Sequence, residues 1–370
     1  MRYIGNKTRL LHFILDAIRK LGIAPGSAHD AFSGTAAVGR ALKSHGWRVA
    51  SSDLMTYAYV FARAYVVAHR GPSVAELRAA DPELRRAMRS RSFARAAAAR
   101  GDGSLGVVAE YLSRWVEPED GFVTEHFAPR GKRLYFTEDN AQRIDAIRRR
   151  LHEWRDEGVL PDDAYYVLLA ALIESADRVA NTAGVYAAFI KSWQPNAVRP
   201  LTLDPVAPVK GPLGSTAHRA DAASVARELG PIDLIYIDPP YNARQYSGYY
   251  HVPEILARGW FNGALSLRGK TGLLADPSLR SAWCSPRHVR SALRELLEST
   301  GARHALVSYN SEGLLPAEDL VSVLAERAVN GRVRKFSMPY KRYRADSDHE
   351  KRRYRKGELR ELLYYVRLRR

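Results

Sequence analysis

The residues best suited to chemistry are Asp238, Pro239, Pro240 and Tyr241, which directly follow a nearly all-apolar run. Such a run is typical of a buried strand in a parallel sheet, and open α/β sheets bind ligands at the carboxyl ends of their strands. Both prolines fix φ and lack an N–H group, so the backbone is stiff and offers its carbonyls as acceptors. We therefore expect an amine to be held between the Asp238 carboxylate and the Pro239 carbonyl, with a planar base stacked on the Tyr241 ring.

The chemistry expected at this tetrapeptide is the activation of an exocyclic amine of a nucleobase. That amine is a weak nucleophile because its lone pair is delocalised into the ring, and two acceptors that take both of its hydrogens would localise the lone pair. Attack on an electrophilic methyl group builds positive charge on the nitrogen, which the Asp238 carboxylate would stabilise. The alternative is a proline-rich turn with no chemical role.

A second candidate site is a glycine turn that follows a predicted short strand. A glycine turn lets a nucleotide-like ligand approach the backbone, and an acid about 20 residues further along takes the ribose hydroxyls. Asp53, at the end of the next predicted strand, fits that acid. The turn has neither the Gly-x-Gly-x-x-Gly of dinucleotide sites nor the Gly-Lys-Ser/Thr of triphosphate sites, and a packed turn with no ligand is the alternative. Its residues are Asp30, Phe32, Ser33, Gly34 and Thr35.

Three other positions carry weaker signals. Asp221 precedes the strand that leads to Asp238 and could end a strand of its own, but it is equally consistent with a helix cap. His251 and His288 have no metal-ligand spacing, and Ser308 lacks the context of a nucleophile elbow. We therefore expect neither a metal site nor acyl-enzyme chemistry.

A basic segment near the end of the sequence alternates cations with aromatic residues. Phosphate contacts combined with stacking would explain both residue types. The segment also holds Asp346, Asp348 and Glu350, so a solvated loop is the alternative. The candidates for nucleic-acid contact are Lys341, Arg342, Arg344, Arg352 and Arg353.

The composition indicates a globular protein with a polyanionic partner. The 370 residues are enough for about two structural units, and the formal net charge is +17. This charge favours DNA, RNA or an acidic membrane without separating them, and a solvated basic surface with no specific partner is the alternative. One cysteine, Cys284, excludes an intramolecular disulfide and favours a reducing cytoplasm. The first residues lack the apolar core of a signal peptide and Arg63 interrupts the run 57–68, so neither export nor a membrane span is expected.

The elements that must position these residues form a discontinuous α/β domain. A helix over 11–21, a strand over 28–32, a helix over 36–44 and a strand over 47–53 predict a βαβ unit and a parallel sheet. A helical stretch runs from about 70 to 178, and strands resume at 232–237 and 305–309. Residues 333–340 and 359–368 are expected to close the sheet as an antiparallel pair. The predicted division is a catalytic domain of 1–70 and 215–370, interrupted by a mainly helical insertion of 71–214 that recognises the target.

With these motifs in this order, the chain resembles the Dam-like adenine-specific DNA methyltransferases, and within them the FokI-type enzymes, over nearly its whole length. Arg2 to Lys7 looks like the family's first cofactor loop, and Asp238 to Tyr241 like its catalytic tetrapeptide. One departure is Ala36, where many relatives have the second glycine of Phe-x-Gly-x-Gly. The residues that the resemblance assigns to the cofactor are Tyr3, Gly5, Asn6, Lys7, Asp30, Phe32, Ser33, Gly34, Thr35, Asp53, Leu54, Asp221 and Ala222. Those that it assigns to DNA, in a segment similar to one of FokI-type members, are Asn181, Tyr186 and Lys191.

The resemblance implies a Rossmann-like methyltransferase sheet that binds S-adenosylmethionine and methylates the exocyclic amine of a flipped adenine in double-stranded DNA. Aspartate at position 238 favours adenine, because enzymes that methylate the cytosine amine more often carry serine there. A monomer in a prokaryotic cytoplasm, functionally paired with a restriction endonuclease, is the expected setting. Two alternatives remain: an adenine methyltransferase of structured RNA, and an inactive DNA-binding module with the same fold. A competition assay with duplex DNA and ribosomal RNA as substrates discriminates between DNA and RNA methylation. Detectable methyl transfer would exclude the inactive binding module.

Overall fold

The computed structural model describes residues 1–100, 103–263, 265–311, 313–340 and 359–369. The chain forms two compact units, each built from three segments. The sheet unit comprises Gly5–Ala62, Lys210–Tyr246 and Pro277–Arg370. The helical unit comprises Met1–Ile4, Arg63–Val209 and Ser247–Asp276.

The strands and helices are numbered along the chain. The strands are β1 (Ser27–Asp30), β2 (Arg48–Asp53), β3 (Thr216–Arg219), β4 (Pro231–Ile237), β5 (Leu267–Arg268), β6 (Leu273–Leu274), β7 (Gly301–Asn310), β8 (Ala328–Tyr340) and β9 (Leu359–Leu368). The α-helices are α1 (Leu11–Lys20), α2 (Ala37–Ser44), α3 (Thr56–Ala62), α4 (Val74–Ala80), α5 (Pro82–Ala87), α6 (Arg91–Ala99), α7 (Gly103–Arg114), α8 (Phe122–Phe127), α9 (Glu138–Asp156), α10 (Asp162–Val179), α11 (Ala222–Leu229), α12 (Tyr246–Tyr249), α13 (His251–Arg258), α14 (Val289–Ser299) and α15 (Ala317–Arg327).

The sheet unit contains a seven-stranded sheet in the order β3-β2-β1-β4-β7-β9-β8. The five strands from β3 to β7 in this order are parallel, β9 runs antiparallel to β7, and β8 runs antiparallel to β9. The prediction of an α/β fold with a mostly parallel sheet is therefore confirmed, as is the closing antiparallel pair. The crossovers β1-α2-β2 and β4-α14-β7 bring the carboxyl ends of the parallel strands to one edge.

Burial of apolar side chains holds the sheet together. β4 is almost wholly apolar because it lies between β1 and β7, with Ile235 and Ile237 buried against Ala305 and Val307 of β7. Helices α11, α14 and α15 add their apolar faces to the same core, which includes Leu293 of α14. Each fully buried Leu or Ile contributes roughly 1.5–3 kcal/mol relative to an exposed one.

The start of the β4–β7 pairing depends on a close backbone approach. Gly301 pairs with Pro231, and a methyl group at Gly301 would lie 2.4 Å from the carbonyl oxygen of Gly230. Next to it, Asp233 of β4 accepts hydrogen bonds from the backbone and hydroxyl of Ser27, both at 2.9 Å, which ties β4 to β1. These contacts fix β1, which ends at Asp30, β4, which Asp238 directly follows, and β7, which ends at Asn310.

The helical unit is built around α9 and α10, which pack against each other. α10 is buried on almost its whole circumference, as its run of apolar residues predicts. Segment 247–276 belongs to this unit because α13 packs against α10, whereas the sequence places it in the catalytic domain. Buried Asp145 of α9 accepts bonds from the backbone N–H groups of Val123 and Thr124, which caps α8. None of the described helices combines the length and the apolar character that crossing a membrane requires.

Replacing Gly301 with alanine should lower the free energy of unfolding by about 1–3 kcal/mol, because the added methyl group has to displace the Gly230 backbone. Chemical denaturation of purified protein measures the change. Gly248→Ala is the control, since a methyl group there meets no heavy atom of the described residues within 4 Å. Equal stability of the two variants would show that β4 and β7 do not need this approach.

Candidate active site

Three carboxylates stand where the central parallel strands end. Asp30 is the last residue of β1, Asp53 is the last residue of β2, and Asp238 directly follows β4. The parallel register pairs Asp30 with Ser51 of β2 and with Tyr236 of β4, so the three strand ends lie side by side. The edge at which the sequence places the ligands therefore carries concentrated negative charge.

Asp238 is part of a buried cluster around the ammonium group of Lys7. Lys7 Nζ lies 3.2 Å from Asp238 Oδ1 and donates to the Tyr241 hydroxyl, which in turn donates to Asp238 Oδ1. The ammonium also lies 4.7 Å from the centroid of the Tyr241 ring, a cation–π geometry. Asp238 Oδ2 has no hydrogen-bond partner among the described residues, and the side chain is 15% exposed. One oxygen of this carboxylate is thus held by the protein and the other is open.

Glu361 of β9 is a functional candidate that the sequence did not reveal. Its Oε1 lies 2.6 Å from Lys7 Nζ, accepts a bond from Ser308 Oγ at 2.7 Å, and lies 3.4 Å from the Tyr241 hydroxyl. The only sequence signal is an acidic residue that directly precedes the apolar run from 362 to 366. Ser308, considered above only as a nucleophile, is instead a buried donor to Glu361.

Burial and neighbouring charges shift the protonation of the cluster. Burial raises the pKa of Asp238 to about 6; the Lys7 ammonium opposes this rise and the Glu361 charge adds to it. Burial, followed by the charge of Asp238, raises the pKa of Asp30 to about 7. Burial would lower the pKa of Lys7, but the Asp238 and Glu361 carboxylates outweigh it and raise that pKa above its ordinary value. Lys7 is therefore a permanent cation, while Asp238 and Asp30 titrate near neutral pH.

The glycine turn after β1 is held by the acid at the end of β2. Asp53 accepts the backbone N–H of Gly34 at 2.9 Å through Oδ2, and that of Met55 at 3.0 Å through Oδ1. Ser33 Oγ is buried in this turn without a hydrogen-bond partner among the described residues. Ala36, the departure from the family pattern noted in the sequence, has φ +58° and directly precedes α2. The turn therefore keeps a left-handed backbone at the cost of strain in an alanine.

The other residues assigned to a cofactor differ in their surroundings. Tyr3 belongs to the helical unit, where its ring stacks on Tyr250 with centroids 4.7 Å apart. In the sheet unit, Asn6 accepts the backbone N–H of Thr8 and starts a short 3₁₀ helix. Gly5 has φ +81°, which favours glycine. Phe32 packs edge-on against Trp283, Thr35 and Leu54 are half-buried, and Ala222 is buried.

Asp221 follows β3 and caps α11 by accepting the backbone N–H groups of Ala223 and Ser224 at 2.9 and 3.4 Å. The helix-cap interpretation is thus confirmed for its Oδ1 atom. The residue is exposed and ends the loop after a parallel strand, so its assignment to the cofactor stays a prediction.

Asn181 and Tyr186 are buried, which differs from the expectation that they face DNA. The Asn181 amide accepts the backbone N–H of Gln194, and Tyr186 donates its hydroxyl to Asp177 at 3.3 Å. Both side chains are therefore occupied in shaping the segment rather than presented at its surface. Lys191 in the same segment is exposed. The carbonyls that accept from the Asn181 side chain are those of Leu134, Ile190 and Ser192.

Arg2 supports the same segment of the helical unit. Its guanidinium donates to the carbonyl oxygens of Asp177, Ala180 and Thr182 at 2.7, 3.2 and 3.1 Å, and its backbone N–H donates to the Asp177 carboxylate at 2.7 Å. A cation at these carbonyls suits the end of α10, where the helix dipole is negative. The basic candidates Lys341, Arg342, Arg344, Arg352 and Arg353 lie outside the described residues.

A family model described as D12 class N6 adenine-specific DNA methyltransferase matches residues 3–264, which include the glycine turn, Asp53 and the Asp238 tetrapeptide. The chain belongs to this family. Family members use S-adenosylmethionine as the methyl donor, and the functional resemblance predicted from the sequence is confirmed at this level.

Three curated relatives have sequences similar to this chain. The type II methyltransferase M.FokI of Planomicrobium okeanokoites is 31% identical over 99% of the chain and 52% of its own length. The type II methyltransferase M.NlaIII of Neisseria lactamica is 31% identical over 94% of the chain and 93% of its own. The modification methylase StsI of Streptococcus sanguinis is 30% identical over 99% and 52%, respectively. The chain thus spans about half the length of M.FokI and StsI and nearly the whole of M.NlaIII.

The strand ends of the sheet unit fit S-adenosylmethionine, the methyl donor of the family. The carboxylates of Asp30 and Asp53 suit a donor that carries a positive sulfonium and an ammonium group. The unpartnered Ser33 hydroxyl, buried in the turn, offers a hydrogen bond that the described protein leaves unused. Left-handed glycines at positions 5 and 34 allow close approach to the backbone.

Asn181→Ala should lower the free energy of unfolding by about 2–4 kcal/mol, because buried backbone groups lose their side-chain partner. Lys191→Ala should leave stability unchanged and weaken DNA binding, with a loss of about 0.9 in the log–log salt slope if it contacts one phosphate. Urea denaturation and DNA titrations at several salt concentrations measure both. If Asn181→Ala kept wild-type stability and lost DNA affinity, the side chain would read DNA and not shape the segment.

Proposed function

We propose that this chain transfers the methyl group of S-adenosylmethionine to the N6 amine of a flipped adenine in double-stranded DNA. The observation that carries the proposal is the Asp238 carboxylate at the end of β4, with Oδ1 held by Lys7 and Tyr241 and Oδ2 open. An amine bonded to Oδ2 and to the Pro239 carbonyl has both hydrogens accepted, so its lone pair localises on nitrogen. The ionised carboxylate then stabilises the positive charge that develops there.

The residues around Asp238 orient the base and hold the carboxylate. The half-buried Tyr241 ring packs edge-on against Tyr309, with centroids 5.5 Å apart, and Leu314 donates its N–H to the Tyr241 carbonyl. These contacts keep the ring in place as the proposed stacking surface for adenine. Pro240 keeps the loop stiff between the carboxylate and the ring.

S-adenosylmethionine supplies an electrophilic methyl group on a positive sulfur. We assign Ser33, Gly34 and Asp53 to its binding, with Asp53 as the acid for the ribose hydroxyls. Asp53 keeps its carboxylate oriented through the backbone of Gly34 and Met55. Asp30 is buried and accepts the backbone N–H of Gly39 at 2.9 Å, which ties the end of β1 to the first turn of α2.

Target recognition is proposed for the helical unit, and the sheet unit is proposed as a Rossmann-like catalytic domain. A net charge of +17 supports a polyanionic substrate. The type II and modification names of the relatives support functional pairing with a restriction endonuclease. We propose a monomer that acts in a prokaryotic cytoplasm, in keeping with one buried free cysteine, Cys284.

Expression of the wild-type chain with plasmid DNA should produce N6-methyldeoxyadenosine, and Asp238→Ala should abolish it while S-adenosylmethionine binding is retained. Loss of a contact made only in the transition state costs on the order of 3 kcal/mol or more. Nucleoside mass spectrometry and calorimetry measure the two properties. Asp53→Ala is the matched variant, for which cofactor affinity should fall. A methylated cytosine, or methylation of ribosomal RNA but not DNA, would overturn the proposed function.

The kcat/KM of methylation should rise with pH through about 6, where Asp238 ionises in the free enzyme. Below this pH the protonated carboxyl cannot stabilise a positive amine, so the rate falls; above it the carboxylate is present and the rate levels off. Asp30→Asn identifies any second step near pH 7, since the pKa of Asp30 is raised to about 7. A profile that is flat from pH 5 to 8 would contradict the assignment of Asp238.

A further inference from the structure

Lys7 presents one buried ammonium group to two carboxylates. Its side chain is 4% exposed, and its nearest acceptor is Glu361 Oε1 at 2.6 Å rather than Asp238 Oδ1 at 3.2 Å. The third acceptor is the Tyr241 hydroxyl, so the three hydrogens of the ammonium have three partners. Glu361 therefore competes directly with Asp238 for the only cation of the cluster among the described residues.

We propose that Glu361 is a positioning residue, which holds the Lys7 ammonium so that Asp238 keeps an open carboxylate oxygen for the substrate amine. This inference rests on the proposed function. One ammonium between two carboxylates leaves the group of three with a net negative charge, which favours the positive nitrogen of the transition state. Without the Glu361 charge, Lys7 and Asp238 form a neutral pair, and the lysine is free to approach Asp238 more closely.

The fold holds Glu361 in one orientation. β9 runs antiparallel to β7 with Glu361 opposite Asn310, which places Glu361 diagonally next to Ser308 on the same face. The buried hydroxyl of Ser308 donates to Glu361 Oε1 at 2.7 Å. The carboxylate is 5% exposed, so water cannot replace the lysine as its counter-charge. A buried acid held by a second strand in this way is positioned before any substrate arrives.

Other titratable groups also face the cluster and enter its charge balance. Asp30 of β1 and Tyr236 of β4 interact electrostatically with Asp238, and the Tyr236 hydroxyl is buried without a partner that meets hydrogen-bond geometry among the described residues. Within the cluster itself, the Lys7 charge lowers the pKa of Asp238, whereas the Glu361 charge raises it. Removing only the Glu361 charge should therefore lower the pKa of Asp238.

Glu361→Gln tests the proposal, because it keeps the shape of the side chain and removes its charge. We expect kcat to fall by about 10- to 100-fold with little change in KM for DNA or for S-adenosylmethionine. The acid limb of the kcat/KM profile should move to lower pH. Glu110→Gln is the matched control, since Glu110 is a buried carboxylate in the helical unit, paired with Arg100 at 2.5 Å. It should change neither kcat nor the pH profile.

A double-mutant cycle shows whether Glu361 acts through Lys7. In a Lys7→Met background, Glu361→Gln should lower kcat by less than about threefold, because the lysine that Glu361 holds is gone. Ser308→Ala should lower kcat less than Glu361→Gln does, since it removes only a donor that orients the carboxylate. The same loss from Glu361→Gln with and without Lys7 would overturn the proposal, as would an unchanged pH limb.

A measurement that needs no activity separates this inference from the proposed function. Carboxyl ¹³C NMR titration of Asp238 should give a lower pKa in the folded Glu361→Gln variant than in the wild type. If the wild type fails to methylate adenine in DNA but this pKa falls, the proposed function is wrong and the contact between the three residues stands. An unchanged Asp238 pKa would contradict the proposal whatever the enzyme methylates.

Discussion

The shared ammonium of Lys7 is the interaction on which the catalytic edge depends. Asp238 and Glu361 are both buried, and two buried carboxylates this close repel each other unless a cation lies between them. Desolvation makes the ion pair weaker as a source of net stability than its short distances suggest. Its value lies in orientation: it fixes which oxygen of Asp238 belongs to the protein and which is open.

This arrangement requires elements that are far apart in the chain to meet at one place. Lys7 comes from the 3₁₀ helix before α1, Asp238 from the end of β4, Ser308 from β7 and Glu361 from β9. The apolar core that packs against β4, β7 and β9 holds these three strands at a fixed spacing. The same packing therefore fixes the distances between the polar groups that the strands carry. Carboxylates that end β1 and β2 extend the negative edge toward the proposed cofactor site.

In the helical unit, buried polar groups shape a segment rather than face a ligand. Asn181 binds several backbone groups of the loop around it, and Arg2 binds the carbonyls at the end of α10. Backbone groups in an irregular segment need such partners, because no helix or strand satisfies them. The exposed Lys191 therefore lies in a loop whose conformation is fixed by hydrogen bonds to the buried Asn181 side chain.

The sequence by itself determined the fold class and the strand-end acids, because both depend on local patterns. The apolar run before Asp238 predicts a buried parallel strand, and the glycine turn and Asp53 lie in a predicted βαβ unit. The closing antiparallel pair over 333–340 and 359–368 is predicted as well, and the structure confirms it. Tertiary structure alone decided the partners of the acids. Glu361 stands 123 positions after Asp238 and meets it only through the β7–β9 register. Asn181 and Tyr186 likewise look like surface recognition residues in the sequence, but burial turns them inward. Charge and hydrogen-bond pairing across such separations have no local signal, since each partner is chosen by the packing of strands and helices and not by its neighbours in the chain.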